Sequence, residues 1–490
     1  MILSRATIAL LLATTAPVAA AEPPLLSVTD YQLPNGLKVI FHRDTSDPVV
    51  AVALTAHVGS ARETPGRTGF AHMFEHLFFL DSENLGPGGL DRLSARVGGS
   101  GANGNTNSDA TVYAQEVPKD ALEKMIWAEA DKLGWFINTV TEPVLAKEKQ
   151  VVKNEKRQSY DNRPYGFTQA ILFENMFPAG HPYSWSTIGS MADLDAATLD
   201  DVKAFYKRWY TPENATLTIA GDFDPTQARA WVERYFGELK GSGRRAAPAA
   251  PRSANLTATK RLVHEDRFAK RPELTIAFPG APEADPDYVP LELLLNMLTA
   301  GRDAPLTKRL VEDEKLTDEV TGAHYELELA GIGLLQVRAF DGVDLDRVAT
   351  ALEKGLADFE ARGVDPAALT RARYAREKNL YSDLENVDGK AQAIARAEAV
   401  TGRAEAINTY AERLRAVTPA DISRVYAKYL KNKPHLAISM VPRGQPQLAL
   451  ADSTTAKVIE EAVVQNAEKP VDPRAETARY TPTPSKIDRK

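Results

Sequence analysis

Residues 215–223 read ATLTIAGDF, and residues 435–442 read HLAISMVP. Both are short apolar runs of strand character near the end of a longer series, and the second echoes the first. Ahead of the first, LPNGLKVIFHRD (33–44) places Asn35-Gly36 before an apolar strand, a hairpin signal. PVVAVALTAHVGS (48–60) is a nearly continuous apolar run, as in a strand buried on both faces. A helix follows, then a strand at ATVYAQEVP (110–118), with further helices predicted over 119–133, 143–160, 198–207 and 225–239. Ahead of the second run the order returns: strand ELTIAFPG (273–280), helix YVPLELLLNMLTA (288–300), strand GIGLLQVRAF (331–340) and a helical region over 344–430. Between them, KGSGRRAAPAAPRSAN (240–255) has the small residues, Gly and Pro of a linker.

The expected fold class is therefore α+β: two homologous α/β-sandwich halves, each a mostly antiparallel sheet packed with helices. The expected boundaries are a signal peptide at 1–21, a first domain at 22–240, a linker at 241–255, a second domain at 256–445 and a flexible tail at 446–490, rich in Ala, Thr, Pro and charge. The signal peptide is read from an early Arg, a short apolar run and Ala19-Ala20-Ala21, which fits an A-x-A cleavage site. Export to the periplasm or beyond is the expectation, with no membrane span.

Among 490 residues there are 8 histidines and no cysteine. Any bound metal must then be held by His and carboxylate. The formal net charge of -7 offers no support for nucleic-acid binding, which calls for a basic face.

Residues 72–76 read HMFEH. On a helix, His72 and His76 lie one turn apart on the same face and aim both imidazoles at a common point. Two neutral imidazoles suit Zn2+; a catalytic zinc takes one more protein ligand and leaves a place for water. Glu75 lies beside that point, where a carboxylate can remove a proton from the activated water. The spacing H-x-x-E-H is the inverted zincin motif.

EPVLAKEKQVVKNEKRQSY (142–160) supplies the third group. On a helix, Leu145, Glu148, Val152 and Glu155 fall on one stripe, so two carboxylates line up with inward-facing apolar residues. Buried charges are paired or bound to metal. Salt bridges to neighbouring Lys or Arg are the alternative, but beside HMFEH, Glu155 is the best third-ligand candidate. Glu148, two turns earlier, is placed to orient a ligand or support proton transfer.

H-x-x-E-H followed by a Glu inside EKQVVKNE resembles the pitrilysin or insulinase-type zinc peptidases, and within them the processing-peptidase-like bacterial members. The likeness covers about residues 28 to 445, including TGFAHMFEHLFF, GGSGANGNTNSDATVY, HPYSWSTIGSMADL and ATLTIAGDFDP. It implies one Zn2+ per chain held by His72, His76 and Glu155, Glu75 as general base and Glu148 as supporting carboxylate. It also implies that the strand carrying Asn103 and Thr106 pairs with an extended substrate backbone. The family's usual Asn-Ala-x-Thr reads Asn103-Gly104-Asn105-Thr106 here, with Gly in place of Ala. By themselves these residues read as a Gly/Asn-rich turn followed by an ordinary strand.

Family members that act alone carry an Arg and a Tyr, seven residues apart, in the second half. In LTKRLVEDEKLTDEV (306–320), Val311 stands at the Arg position and Asp318 at the Tyr position, while Arg309 lies two positions off. The resemblance then implies the zinc-bearing half of a two-subunit endopeptidase for unfolded peptides, with a homologous non-zinc partner supplying the two donors. The alternatives are a non-catalytic peptide-binding or scaffold member of the same fold and a periplasmic zinc-binding protein. His181 in HPYSW reads as a packing residue.

Overall fold

The computed structural model of the chain describes residues 25–242, 254, 256–325 and 327–460. The expected signal peptide and most of the expected linker lie outside them. The first half runs β1 (Thr29–Gln32), β2 (Lys38–Arg43), β3 (Val49–Ala56), α1 (Phe70–Leu80), α2 (Gly89–Val97), β4 (Ser100–Thr106), β5 (Thr111–Pro118), α3 (Leu122–Trp135), α4 (Glu142–Lys156), α5 (Thr168–Met176), α6 (Met191–Ala196), α7 (Leu199–Trp209), β6 (Ala215–Gly221) and α8 (Pro225–Phe236). The second runs β7 (Lys260–Asp266), β8 (Glu273–Gly280), α9 (Tyr288–Thr299), α10 (Pro305–Thr307), β9 (Thr317–Tyr325), β10 (Gly331–Ala339), α11 (Leu345–Arg362), α12 (Pro366–Asp383), α13 (Val387–Thr401), α14 (Ala406–Ala416), α15 (Pro419–Val425), β11 (Leu436–Pro442) and β12 (Thr454–Thr455). None of these helices is long and apolar enough to cross a membrane.

The two halves form two six-stranded mixed sheets of matching topology, β1-β2-β6-β3-β5-β4 and β12-β7-β11-β8-β10-β9. In each, the strand echoed in the sequence (β6 or β11) lies parallel to one neighbour and antiparallel to the other. The expected hairpin is β1–β2; Gly36 closes it with φ 95°, a backbone that L side chains rarely adopt.

The halves exchange helices. Val50, Val52 and Leu54 of β3 face the first core, while Ala51 and Ala53, with Ala220 of β6, face Val387, Ala391 and Ala395 of α13 from the second half. Small side chains on both surfaces bring that helix close to the sheet. This is why β3 reads as one continuous apolar run: both of its faces are covered. Reciprocally, Ile171 and Leu172 of α5 from the first half share a core with Ile438 and Met440 of β11.

The flexible tail expected from residue 446 is corrected for its first part. Residues 446–460 are built into the second half: Leu448 and Leu450 are buried in its core, and β12 pairs in parallel with β7 as the sheet's last strand. Apolar residues spaced among Pro, Thr and charge were enough to dock this segment once a sheet edge was available. Residues 461–490 lie outside the described residues.

Candidate metal centre

Helix α1 divides its residues between two interleaved faces. Phe70, Met73, Phe74, Leu77 and Phe78 enter the first core, where Phe74 stacks on Tyr210 and Phe78 on Tyr113. His72, Glu75, His76 and Phe79 occupy the other face. The helix N-terminus has no side-chain cap of its own, because its N-cap is Gly69 at φ 86°. Glu63, buried, supplies one instead: its two carboxylate oxygens accept from Gly69 N (3.0 Å) and Ala71 N (2.8 Å). The sequence reading did not single out Glu63, since no local spacing joins it to α1.

Helix α4 presents the expected stripe. Leu145, Glu148 and Val152 are buried, and Glu155 is half-buried. His72, His76 and Glu155 converge, with one donor atom of each within 4.8 Å of the others. His72 Nε2 lies 3.6 Å from Glu155 Oε1, and His76 Nε2 lies 3.1 Å from Glu155 Oε2. Tetrahedral ligands about 2.0–2.2 Å from a zinc ion stand about 3.3–3.6 Å from one another. Two imidazoles and a carboxylate suit zinc in kind, and donor atoms within 4.8 Å of one another need only a small contraction to reach that spacing. Burial, helped by the charge of His76, lowers the His72 pKa to about 4, so this ring stays neutral and keeps a lone pair to donate. Burial also pulls the His76 pKa down, but the Glu148, Glu155 and Glu75 carboxylates outweigh it and leave it raised. Glu148 Oε1 sits 3.0 Å from His76 Nδ1. It therefore orients the ring and faces away from the point where the three donors meet.

Glu75 is fixed from the neighbouring strand. Thr106 Oγ1 donates to Glu75 Oε2 at 2.5 Å and also reaches Thr111 Oγ1 at 3.2 Å. Burial raises the Glu75 pKa against the opposing pull of Thr106 and His76. A Cβ at Gly104 would stand 2.6 Å from Glu75 Cγ and 2.9 Å from Phe79 Cε2. The Gly in place of the family's Ala thus gives Glu75 the room it occupies. Of the two residues expected to bind substrate, Thr106 is engaged with Glu75, whereas Asn103 is exposed on the opposite side of β4 and accepts from Gly104 N. Their side chains have different tasks because successive residues of a strand face opposite ways.

In the second half, helices α9 and α12 hold no such donor set. Glu292 of α9 is paired with Arg376 and accepts from Tyr410 OH at 2.6 Å. Val311 is partly buried against the second core, Asp318 pairs with Arg271 (3.0 Å), and Arg309 with Asp358 (2.6 Å). His181 stacks on Phe177 and accepts from Tyr183 N.

Models of one metallopeptidase family match both halves. "Insulinase (Peptidase family M16)" covers residues 38–181 and "Peptidase M16 inactive domain" residues 196–375, together well over half of the sequence. The chain belongs to the peptidase M16, or insulinase, family. Zinc protease PqqE of Helicobacter pylori is 26% identical over 415 residues, 84% of this chain and 92% of that protein. The crystal structure of a protease from Helicobacter pylori has a TM-score of 0.79 at 24% identity, covering 85% of this chain and 100% of that one. The periplasmic protease PqqL from Escherichia coli has a TM-score of 0.72 at 20% identity over 88% of this chain but 50% of its own.

Proposed function

We propose that this chain is a zinc-dependent endopeptidase that hydrolyses unfolded peptides as the catalytic member of a heterodimer. The observation that carries the reading is the convergence of His72, His76 and Glu155 beside a Glu75 held by Thr106. Zinc held there would polarise a water molecule and bring its pKa toward neutrality. Glu75 is the group placed to take that water's proton, and burial shifts its pKa in the direction that suits a base working near neutral pH. Strand β4 is the last in its sheet, so its outer edge offers backbone groups for an extended peptide. Pairing through the backbone selects for extended, unfolded chains and not for particular side chains.

Val311 and Asp318 donate nothing to an oxyanion, and Arg309 is committed to Asp358. A homologous partner chain without zinc ligands supplies the missing Arg and Tyr. The work takes place in the periplasm or outside the cell, supported by the signal-peptide pattern of residues 1–21. A non-catalytic peptide-binding role is the second reading, favoured by the same missing donors; a periplasmic zinc-binding protein would have no use for Glu75.

The test is cleavage of a quenched, unstructured peptide by the mature, zinc-loaded chain, alone and with candidate partners, against Glu75→Gln. The proposal expects zinc bound in both forms and turnover only with Glu75 and a partner. Strong Glu75-dependent cleavage by the chain alone would remove the partner from the proposal. Bound zinc with no turnover under any pairing would leave the non-catalytic reading.

A further inference from the structure

The turn between β4 and β5 is held by both halves of the chain. Asp109, buried in that turn, accepts from Tyr183 OH through Oδ1 (2.5 Å) and from the backbone N of Glu328 through Oδ2 (3.0 Å). Tyr183, also buried, accepts in turn from Leu329 N (2.8 Å). Glu328 and Leu329 belong to the connection between β9 and β10 in the second half. The Glu328 carboxylate reaches back to Arg62 (2.8 Å) and His57 (3.0 Å) of the first half. On its other side the turn rests on residues 59–61: Ser60 N and Ala61 N donate to Asn107 O (3.2 Å) and Ser108 O (2.7 Å). A Cβ on Gly59 would stand 2.3 Å from Asn107 O, so backbone meets backbone there.

Thr106 is the last residue of β4 and leads straight into this turn. We propose that Asp109 is a positioning residue for the general base: clamped by Tyr183 and by the Glu328–Leu329 backbone of the second half, it holds the β4–β5 turn where Thr106 keeps its hydrogen bond to Glu75. The second half then contributes to catalysis without contributing a group to the metal centre. Every bond in the clamp is buried or partly buried, and a buried donor left without its acceptor costs more than the bond itself supplies. Loss of one member therefore moves the turn instead of being absorbed by solvent.

This rests on the peptidase reading, and the experiment separates the two. Tyr183→Phe removes the bridging hydroxyl and keeps the ring; Asp109→Asn puts an amide opposite two donors. In a chain with its partner, each variant is expected to lower kcat about tenfold or more, with KM within about twofold and zinc content unchanged. Combined with Thr106→Val, either variant is expected to be no slower than Thr106→Val alone, because all act through one hydrogen bond. Additive losses in the double variants, or an unchanged kcat in Tyr183→Phe, would overturn the proposal. If the wild-type chain turns nothing over under any pairing, the peptidase reading has failed. The clamp is then decided by amide exchange across residues 103–106, expected to quicken about tenfold in Tyr183→Phe. Unchanged protection overturns it.

Discussion

Glu148 Oε1 lies 3.0 Å from His76 Nδ1, while Nε2 of the same ring lies 3.1 Å from Glu155 Oε2. One helix, α4, thus addresses both nitrogens of a histidine on α1, from positions two turns apart. The hydrogen bond at Nδ1 fixes the tautomer that leaves the Nε2 lone pair for a metal.

Glu148→Ala frees the His76 ring to rotate and leaves a cavity beside it. Zinc affinity is expected to fall about 10–100-fold, measured by competition with a chelator. Unchanged affinity would mean that packing alone orients the ring.

Gly104→Ala puts a methyl group 2.6 Å from Glu75 Cγ. Zinc binding is expected to survive, since no ligand is touched, while turnover falls about tenfold and stability by about 1 kcal/mol. Steady-state kinetics and a denaturant melt on one preparation give both numbers. Full activity would show that Glu75 has room to move aside.

Glu63→Ala strips the acceptor from two buried amides at the start of α1. The expected loss is about 2–4 kcal/mol of stability, accompanied by weaker zinc binding because the first turn leads directly into His72. Glu63→Gln keeps one acceptor and is expected to fall between the two. A Tm equal to wild type in Glu63→Ala would exclude the capping role.

His324 governs a different pH range. It is half-buried on β9, but both ring nitrogens are sealed from solvent and find no hydrogen-bond partner among the described residues. Burial lowers its pKa from 6.5 to about 4. The unfolded state therefore binds the proton more readily, and the stability present above about pH 6.5 is lost as pH falls through about 4. His324→Phe removes this titration; at pH 4 its loss relative to pH 7 is expected to be smaller than that of wild type by up to about 3 kcal/mol. Parallel acid-unfolding slopes for the two proteins would contradict it.

Much of the candidate site was legible in the sequence because it depends on local periodicity. The four-residue step from His72 to His76 and the stripe Leu145, Glu148, Val152, Glu155 are properties of a helix, whatever it packs against. The roles of Thr106 and Glu63 were not legible. Each acts across a gap between elements, and a hydroxyl or carboxylate carries no mark of the partner it will meet. The first part of the tail was not legible for a related reason: Leu448 and Leu450 are too sparse to signal an element, and the core that buries them is built from residues far away in the chain.

By itself, then, the sequence determined the duplicated order of strands and helices, the apolar faces and the chemical make-up of the candidate metal centre. All of these follow from the 2-residue and 3.6-residue repeats of backbone geometry. Only the tertiary structure decided that α13 covers the first sheet and α5 the second, that Thr106 serves Glu75, and that a connection in the second half grips the turn beside it. These are contacts between residues far apart in the chain. They are selected by which surfaces fit when the whole chain packs, and no short window of sequence contains both partners.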